Sequence, residues 1–179
     1  LLNVLYSDSE EAAAKTVVDM LNQGVSAQSV YDALFCAAGE LLMRQPGIVG
    51  LHAVTSTNAL HYIFQMCRDD HTRRFVLLQN ASFLPLFLSG MRGRGRVSNA
   101  KLMELAPLKV ESQAEGQLEE IFTEVSNDRN KGAAKILGYL EANGDSRSLI
   151  NAARRLIFLK GTNSHDYKYS SAILEDYYA

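Results

Sequence analysis

The sequence predicts an all-α protein, folded as a helical bundle or a helical array. Apolar residues recur at helical spacing in successive stretches of the chain. Serine or aspartate residues of the kind that cap helices precede these stretches, and glycine or proline follows them. Few stretches show the period of two that is typical of strands. We therefore expect more than about two thirds of the residues to be helical and no sheet of three or more strands.

The chain is long enough for one ordinary domain with its own core, because it has 179 residues of which 47% are hydrophobic. We expect a single all-helical domain over residues 1–179. The sequence begins and stops within apolar helical patterns, which indicates a piece of a longer chain. The rest of that chain, or a second copy in a homo-oligomer, is an expected partner. Cys36 and Cys67 lack motif spacing and are predicted to be buried core residues.

Capped helices follow one another in the first part of the chain. A helix that ends at Gly24 is followed by one that Ser26 caps and that Pro46-Gly47 ends. Gly24 is expected to adopt the left-handed conformation that closes many helices. The next helix carries His52 and reaches Met66 or Cys67.

The middle of the chain contains two interruptions. Asp69-Asp70 starts a helix in which Pro85 predicts a kink or a break. The segment from Gly90 to Arg96 alternates arginine with glycine. We interpret that segment as a solvated loop, and a loop that holds a phosphate or a nucleic-acid backbone is the alternative.

Polar residues mark the starts of the remaining predicted helices, at Ser98, Ser112, Asp128, Asp145 or Ser146, and His165. Pro107 is predicted to stop the short helix that Ser98 starts, and Gly161 ends the helix before His165.

An internal repeat is predicted, because residues 1–67 and 112–179 show similar patterns. A shift of 120 residues places Ala13-Ala14-Lys15 on Ala133-Ala134-Lys135, and Gly24 on Gly144. A shift of 113 residues then places His52 on His165. Each half is a helical hairpin followed by a helix that begins with histidine, which predicts a two-fold or solenoid-like array. The alternative is that any two capped hairpins share glycine stops and serine caps.

The helix that carries His52 is unusually polar for a stretch with so many apolar residues. Its candidate substrate-binding residues are Thr55, Ser56, Asn58 and His61. Buried polar groups need partners, so a line of them along a core helix indicates a polar-lined cavity. The alternative is a core helix whose histidines and hydroxyl groups bond back to backbone carbonyls.

Four residues are candidates for catalysis: His52, His165, Tyr167 and Lys168. Imidazole titrates near neutral pH and can act as an acid or a base, while Tyr167 and Lys168 could polarise or protonate a carbonyl oxygen. Their equivalence in the repeat predicts that His52 and His165 face one cavity between the halves. The alternative is that His165 to Lys168 form only a polar first helical turn.

Known catalytic and metal-binding motifs are absent from the sequence. HExxH, Walker A, GxSxG and dinucleotide-binding fingerprints do not occur. His52 and His61 lie on opposed sides of one helix, which argues against one metal bound by both. The residues therefore identify neither a metal nor a cofactor.

Charge and hydropathy exclude several classes of partner. The net charge of −2 gives no electrostatic reason to expect nucleic acid or an anionic membrane. No apolar run approaches the roughly 20 residues of a transmembrane helix, and no signal-peptide pattern occurs. We expect a cytoplasmic location, with a small-molecule ligand as a candidate partner.

The run Leu51-His52-Ala53-Val54-Thr55-Ser56, continued by Ala59-Leu60, resembles a segment of the questin oxidase-like family. In that family an IHAVTSPSALR-type stretch occurs in an all-helical protein rich in histidine. The arginine that follows Ala-Leu in the family is His61 here. The resemblance implies an all-α oxygenase that acts on a polycyclic aromatic ketone, with a nicotinamide such as NADPH as reductant.

Three functional hypotheses remain. The first is a helical oxidoreductase for an aromatic or carbonyl substrate, with an enclosed polar pocket near His52 and His165. The second is a non-catalytic helical-repeat module that binds a partner protein, which requires an open groove and histidines that are exposed or bonded to backbone. The third is a metal or haem protein in which His52 or His165 is the ligand.

Overall fold

Helices account for 78% of the part of the chain that the structure describes. The structure is a computed structural model that describes residues 1–6, 9–142 and 144–176. Within these ranges there are nine α-helices and no strand, which confirms the all-α prediction. The helices are α1 Leu2–Leu5, α2 Glu10–Asn22, α3 Ala27–Arg44, α4 Ile48–Met66, α5 Asp70–Arg92, α6 Gln117–Asn127, α7 Arg129–Glu141, α8 Ser146–Lys160 and α9 Ser164–Asp176.

Side-chain caps begin α3, α5, α7 and α8 where the sequence predicts them. The Ser26 hydroxyl accepts a hydrogen bond from the Ser29 amide at 3.1 Å, and the Asp69 carboxylate accepts one from the Thr72 amide at 2.7 Å. These caps satisfy amide groups that have no partner within the helix. Gly24 has φ +88°, which confirms the left-handed ending.

Several predicted features differ from the observed helices. Helix α5 continues through Pro85 to Arg92, so the break is absent there, while the alternative of a kink stays a prediction. The first three residues of the predicted Gly90–Arg96 loop therefore belong to α5. The stretch after Ser98 forms only a 3-10 turn at Leu102–Glu104. The helix predicted to open at Ser112 is α6, which starts at Gln117 after a 3-10 turn. In the last two cases the predicted capping residue is a serine. A serine side chain can hydrogen-bond to the backbone in turns and extended segments as well as at a helix start, so its presence does not require a helix.

The chain divides into two compact units, a first over Leu1–Leu102 and a second over Met103–Leu174. The prediction of one domain with repeat halves 1–67 and 112–179 stays a prediction, and residues 7–8, 143 and 177–179 of those halves lie outside the described residues. Helices α1 to α5 belong to the first unit, and α6 to α8 with nearly all of α9 belong to the second.

The first unit is a bundle built around α5. This helix packs against α2, α3 and α4, and α3 also packs against α4. The shared core consists of fully or almost fully buried apolar side chains, which include Val17, Leu34, Leu41, Leu77, Leu84 and Leu88. Because each helix presents an apolar stripe at helical spacing, these side chains meet in one core.

A buried ion pair at the end of α3 holds the segment that follows α5. Glu40, which is 2% exposed, pairs with Arg44 one helical turn further along α3. The second oxygen of Glu40 accepts a hydrogen bond from the Leu102 amide at 2.8 Å, and Arg44 Nε donates to the Ala100 carbonyl at 2.9 Å. The Arg44 guanidinium also lies 4.1 Å from the centre of the Tyr6 ring. We call this group the Glu40–Arg44 clasp.

A small core and a charged contact join the helices of the second unit. Val110, Ile121 and Tyr139 are buried together, with half-buried side chains from α6, α7 and α8 packed on them. Lys135 on α7 donates to Glu120 on α6 at 2.6 Å. Glu120 also accepts hydrogen bonds from the Glu111 and Ser112 amides, so the same carboxylate anchors the segment before α6.

Candidate functional site

The predicted polar residues of α4 have different environments. His52 is exposed, while Ser56 and Asn58 are half-buried. The Thr55 hydroxyl donates to the Leu51 carbonyl at 3.2 Å, within its own helix. Thr55 therefore follows the alternative in which a hydroxyl group bonds back to the backbone.

His61 is packed among aromatic rings in the first unit. It is 5% exposed, and its ring centre lies 4.5 Å from that of Tyr31 and 5.2 Å from that of Phe35. Burial lowers the pKa of His61, and the nearby Asp32 carboxylate opposes that effect only in part. A neutral imidazole in ring contacts fills the core as an aromatic side chain does.

A buried polar pair lies between α4 and α5. Thr57 and Asn80 are both 0% exposed, and the Thr57 hydroxyl donates to Asn80 Oδ1 at 3.0 Å. The Asn80 amide nitrogen is buried and has no hydrogen-bond acceptor within the described chain. Sequence reasoning missed this pair. The signal for it was an asparagine at helical spacing among Val76, Leu77 and Leu84.

The start of α9 holds the second group of predicted residues. Asp166 accepts hydrogen bonds from the amides of Thr162 at 2.8 Å and Asn163 at 3.2 Å, and these bonds lower its pKa. The Tyr167 hydroxyl donates to the Gly161 carbonyl at 2.8 Å. These bonds close the corner between α8 and α9, as expected for a polar first turn that serves the backbone.

His165 and Lys168 are both exposed in α9. The His165 backbone amide donates a hydrogen bond to the Asn163 side chain at 2.9 Å. His52 lies in the first unit and His165 in the second. The site that these histidines were predicted to share stays a prediction.

An open groove lies between α6 and α8 of the second unit. We call it the α6–α8 groove, and its volume is about 700 Å³. Leu118, Phe122 and Leu156 form its apolar floor, and the exposed Leu159 stands at its rim. Three polar residues also line it: Thr123, Ser126 and Asn127. Arg155 and Lys160 line the α8 side, and Glu119 lines the α6 side. A second groove of about 480 Å³ lies among α6, α8 and α9 and shares Phe122, Ser126, Leu156 and Lys160 with the first.

Helix α8 combines exposed apolar side chains with positive charge. Phe158 is 76% exposed and Leu159 is 70% exposed, although they are consecutive residues of one helix. The helix contains three arginines and a lysine and no acidic residue. Single exposed apolar side chains are common, but adjacent ones beside an apolar groove are typical of interaction surfaces.

The described part of the chain contains neither a group of metal ligands nor a membrane-spanning helix. Among them, no three His, Cys, Asp or Glu side chains are grouped as ligands for a metal ion. No helix in the described ranges combines the length and apolar character needed to cross a bilayer. Cys36 and Cys67 are free thiols, and both are half-buried where the sequence predicted buried core residues.

Comparisons of the chain with family models, with curated protein sequences and with solved structures found no match.

Proposed function

We propose that this chain is a non-catalytic helical module that binds a partner protein, and that the partner inserts an amphipathic helix with an acidic flank into the α6–α8 groove. The observation that supports this most directly is the apolar floor of an open groove of about 700 Å³ with basic side chains along one edge. Helix-in-groove binding uses this combination of an apolar channel and a charged rim.

Exposed apolar side chains at the groove provide the hydrophobic contribution to binding. Leu159 is 70% exposed at the groove and Phe158 beside it is 76% exposed. A helix with leucine or phenylalanine at positions i, i+3 or i+4, and i+7 would cover Leu156, Leu159 and Phe122 together. Removal of that apolar surface from water provides the favourable free energy.

The charge of the partner follows from the two edges of the groove. Arg155 and Lys160 have no acidic partner among the described residues and stand on the α8 edge. Glu119 stands on the α6 edge. A partner helix with carboxylates along the flank next to α8 would pair with both cations, and this complementarity would fix its orientation in the groove.

The contacts at the predicted histidines favour this module over an enzyme. His52 and His165 are exposed. The binding-module hypothesis requires histidines that are exposed or bonded to backbone, whereas the oxidoreductase hypothesis requires an enclosed pocket around them. The Tyr167 hydroxyl, a candidate catalytic group, donates a hydrogen bond to the Gly161 carbonyl. The oxidoreductase activity, its nicotinamide and a haem or metal ligand stay predictions from the sequence.

A synthetic peptide tests the proposal. The probe is a fluorescein-labelled helical peptide with leucine on one face and glutamate on the adjoining flank, and its binding to the full chain is followed by fluorescence anisotropy. We expect saturable binding that Leu159→Asp abolishes. The double change Arg155→Glu with Lys160→Glu should weaken binding by about tenfold or more, because attractive pairs become repulsive.

Arg147→Glu is the matched control, since it reverses a charge on the same helix at an exposed position that does not line the groove. It should leave peptide affinity unchanged. A peptide with lysine in place of glutamate should bind more weakly than the acidic one. Equal binding of both peptides, binding to anionic vesicles in place of the peptide, or dimers that Leu159→Asp converts to monomers would each overturn the proposal.

A further inference from the structure

A separate pocket in the first unit lies between α2, α4 and α5 and contains an arginine without an acidic partner. Its volume is about 440 Å³, within the roughly 300–1,000 Å³ typical of small-molecule sites. Arg73 lines it, and we call it the Arg73 pocket. The apolar walls are formed chiefly by Val18, Leu21, Phe64, Leu77 and Leu78.

The Arg73 guanidinium is held in place but its hydrogen bonds are incomplete. Its central carbon lies 4.3 Å from the centre of the Phe64 ring, so the ring covers one face of the guanidinium. Arg73 is half-buried, and its Nε is buried without an acceptor in the described part of the chain. A buried polar group without a partner is unfavourable, so an anion that bonds to the guanidinium would stabilise this arrangement.

The neighbouring charges determine how many negative charges the pocket accommodates. Arg74 and Asp70 also line the pocket, but they form an ion pair with each other. Arg73 is therefore the one cation of the lining that no lining carboxylate neutralises. A ligand with one negative charge balances it, whereas a dianion such as a phosphate monoester would introduce an uncompensated charge.

We infer that the Arg73 pocket binds a small organic monocarboxylate with an apolar body. The planar guanidinium matches the geometry of a carboxylate, which can accept two parallel hydrogen bonds from it. The aliphatic or aromatic body of the ligand lies against the apolar walls formed by α2 and α5. The Asn22 side chain, which also lines the pocket, is a second polar group within the site. This site is independent of the α6–α8 groove, since it belongs to the other unit.

Isothermal titration calorimetry of the full chain with octanoate tests the inference. Octanamide has nearly the same shape without the charge, and inorganic phosphate has charge without the apolar body. We expect octanoate to bind at a single site and octanamide to bind at least about tenfold more weakly, the loss typical for a hydrogen bond to a charged group. Phosphate should not compete with octanoate at equal concentration.

Substitutions in the lining of the pocket test whether octanoate binds there. Arg73→Met should weaken octanoate binding by about tenfold or more, and Arg73→Lys should retain part of it because the positive charge stays. Leu78→Trp fills the pocket from α5 and should also prevent binding, with Arg73 intact. Arg68→Met is the matched control, since Arg68 is exposed and does not line the pocket.

Circular dichroism establishes that each variant is folded before it is titrated. If octanoate does not bind the natural chain, the inference is wrong. It is equally wrong if octanamide binds as tightly as octanoate, if phosphate displaces octanoate, or if folded Arg73→Met and Leu78→Trp variants bind as the natural chain does.

Discussion

Replacement of Arg44 by methionine should destabilise the first unit more than any surface change. The substitution leaves the Glu40 carboxylate, which is 2% exposed, without its counter-charge. Breaking a buried pair by removal of one partner costs about 3–5 kcal/mol. A natural domain has roughly 5–15 kcal/mol of free energy of unfolding in total, so this loss is a large share of it. At roughly 4 °C or more per kcal/mol for a unit of this size, Tm should fall by at least about 12 °C.

The double variant Glu40→Met with Arg44→Met separates the pair from the rest of the clasp. Because an apolar replacement of both partners removes the isolated charge, the double variant should be more stable than Arg44→Met alone. Urea unfolding followed by circular dichroism measures the free energy of each variant. Lys15→Met is the control, because the Lys15–Asp19 pair is exposed and its loss should not shift the transition measurably.

The hydrogen-exchange rate of the Leu102 amide reports directly on the Glu40–Arg44 clasp. The Leu102 amide donates to Glu40 at 2.8 Å, so it should exchange faster in the Arg44→Met variant. A change in the free energy of unfolding below about 1 kcal/mol for Arg44→Met would refute the reasoning, because it would fall outside the range for a broken buried pair. A double variant less stable than Arg44→Met would refute it too.

Three further predictions concern pH and packing. Because burial lowers the pKa of His61 in the folded chain, stability should fall as the pH drops below 6.5 towards that lowered pKa, and His61→Phe should remove this part of the dependence in urea titrations at pH 7 and pH 5. Hydrogen bonds from Lys135, and then from Ser112 and Glu111, hold the pKa of Glu120 at about 2, so the stability they provide should be lost as the pH falls from 4.5 towards 2, and NMR titration should show that pKa rise in Lys135→Met. Gly39→Ala has open space around the added methyl group and should stabilise α3 by about 0.5–1 kcal/mol, whereas Gly138→Ala meets the backbone of Leu108 and should lower Tm.

The helices were predictable because their signals are local. Ser26, Asp69, Asp128 and Asp145 cap helices in the structure where the sequence places them. Each cap acts on amides two or three residues away, so no knowledge of the fold is required. Local signals were insufficient at Ser112, because only a 3-10 turn, and no α-helix, forms before α6 begins at Gln117.

The environments of the polar side chains were less predictable, because they depend on which helices meet. The sequence makes His61 and Asn58 candidate substrate-binding residues of one helix, but only the packing of α3 against α4 puts Tyr31 and Phe35 around His61. The Arg73 pocket could not be predicted from the sequence for the same reason. Arg73 stands at the start of a helix among other charged residues, a pattern usually found at the surface.

The Glu40–Arg44 clasp has a consequence for the order in which the chain folds. Its bonds join residues that are 56 and 62 positions apart, from Arg44 to Ala100 and from Glu40 to Leu102. A contact across so long a loop becomes favourable only after the intervening helices have shortened the path between its ends. Closure of the clasp should therefore be a late event that follows the docking of α4 and α5 on α3. The segment between the end of α5 at Arg92 and Ser98, which contains Arg94 and Arg96, then reports on the completion of folding, since trypsin should cleave it faster before the clasp has formed than after.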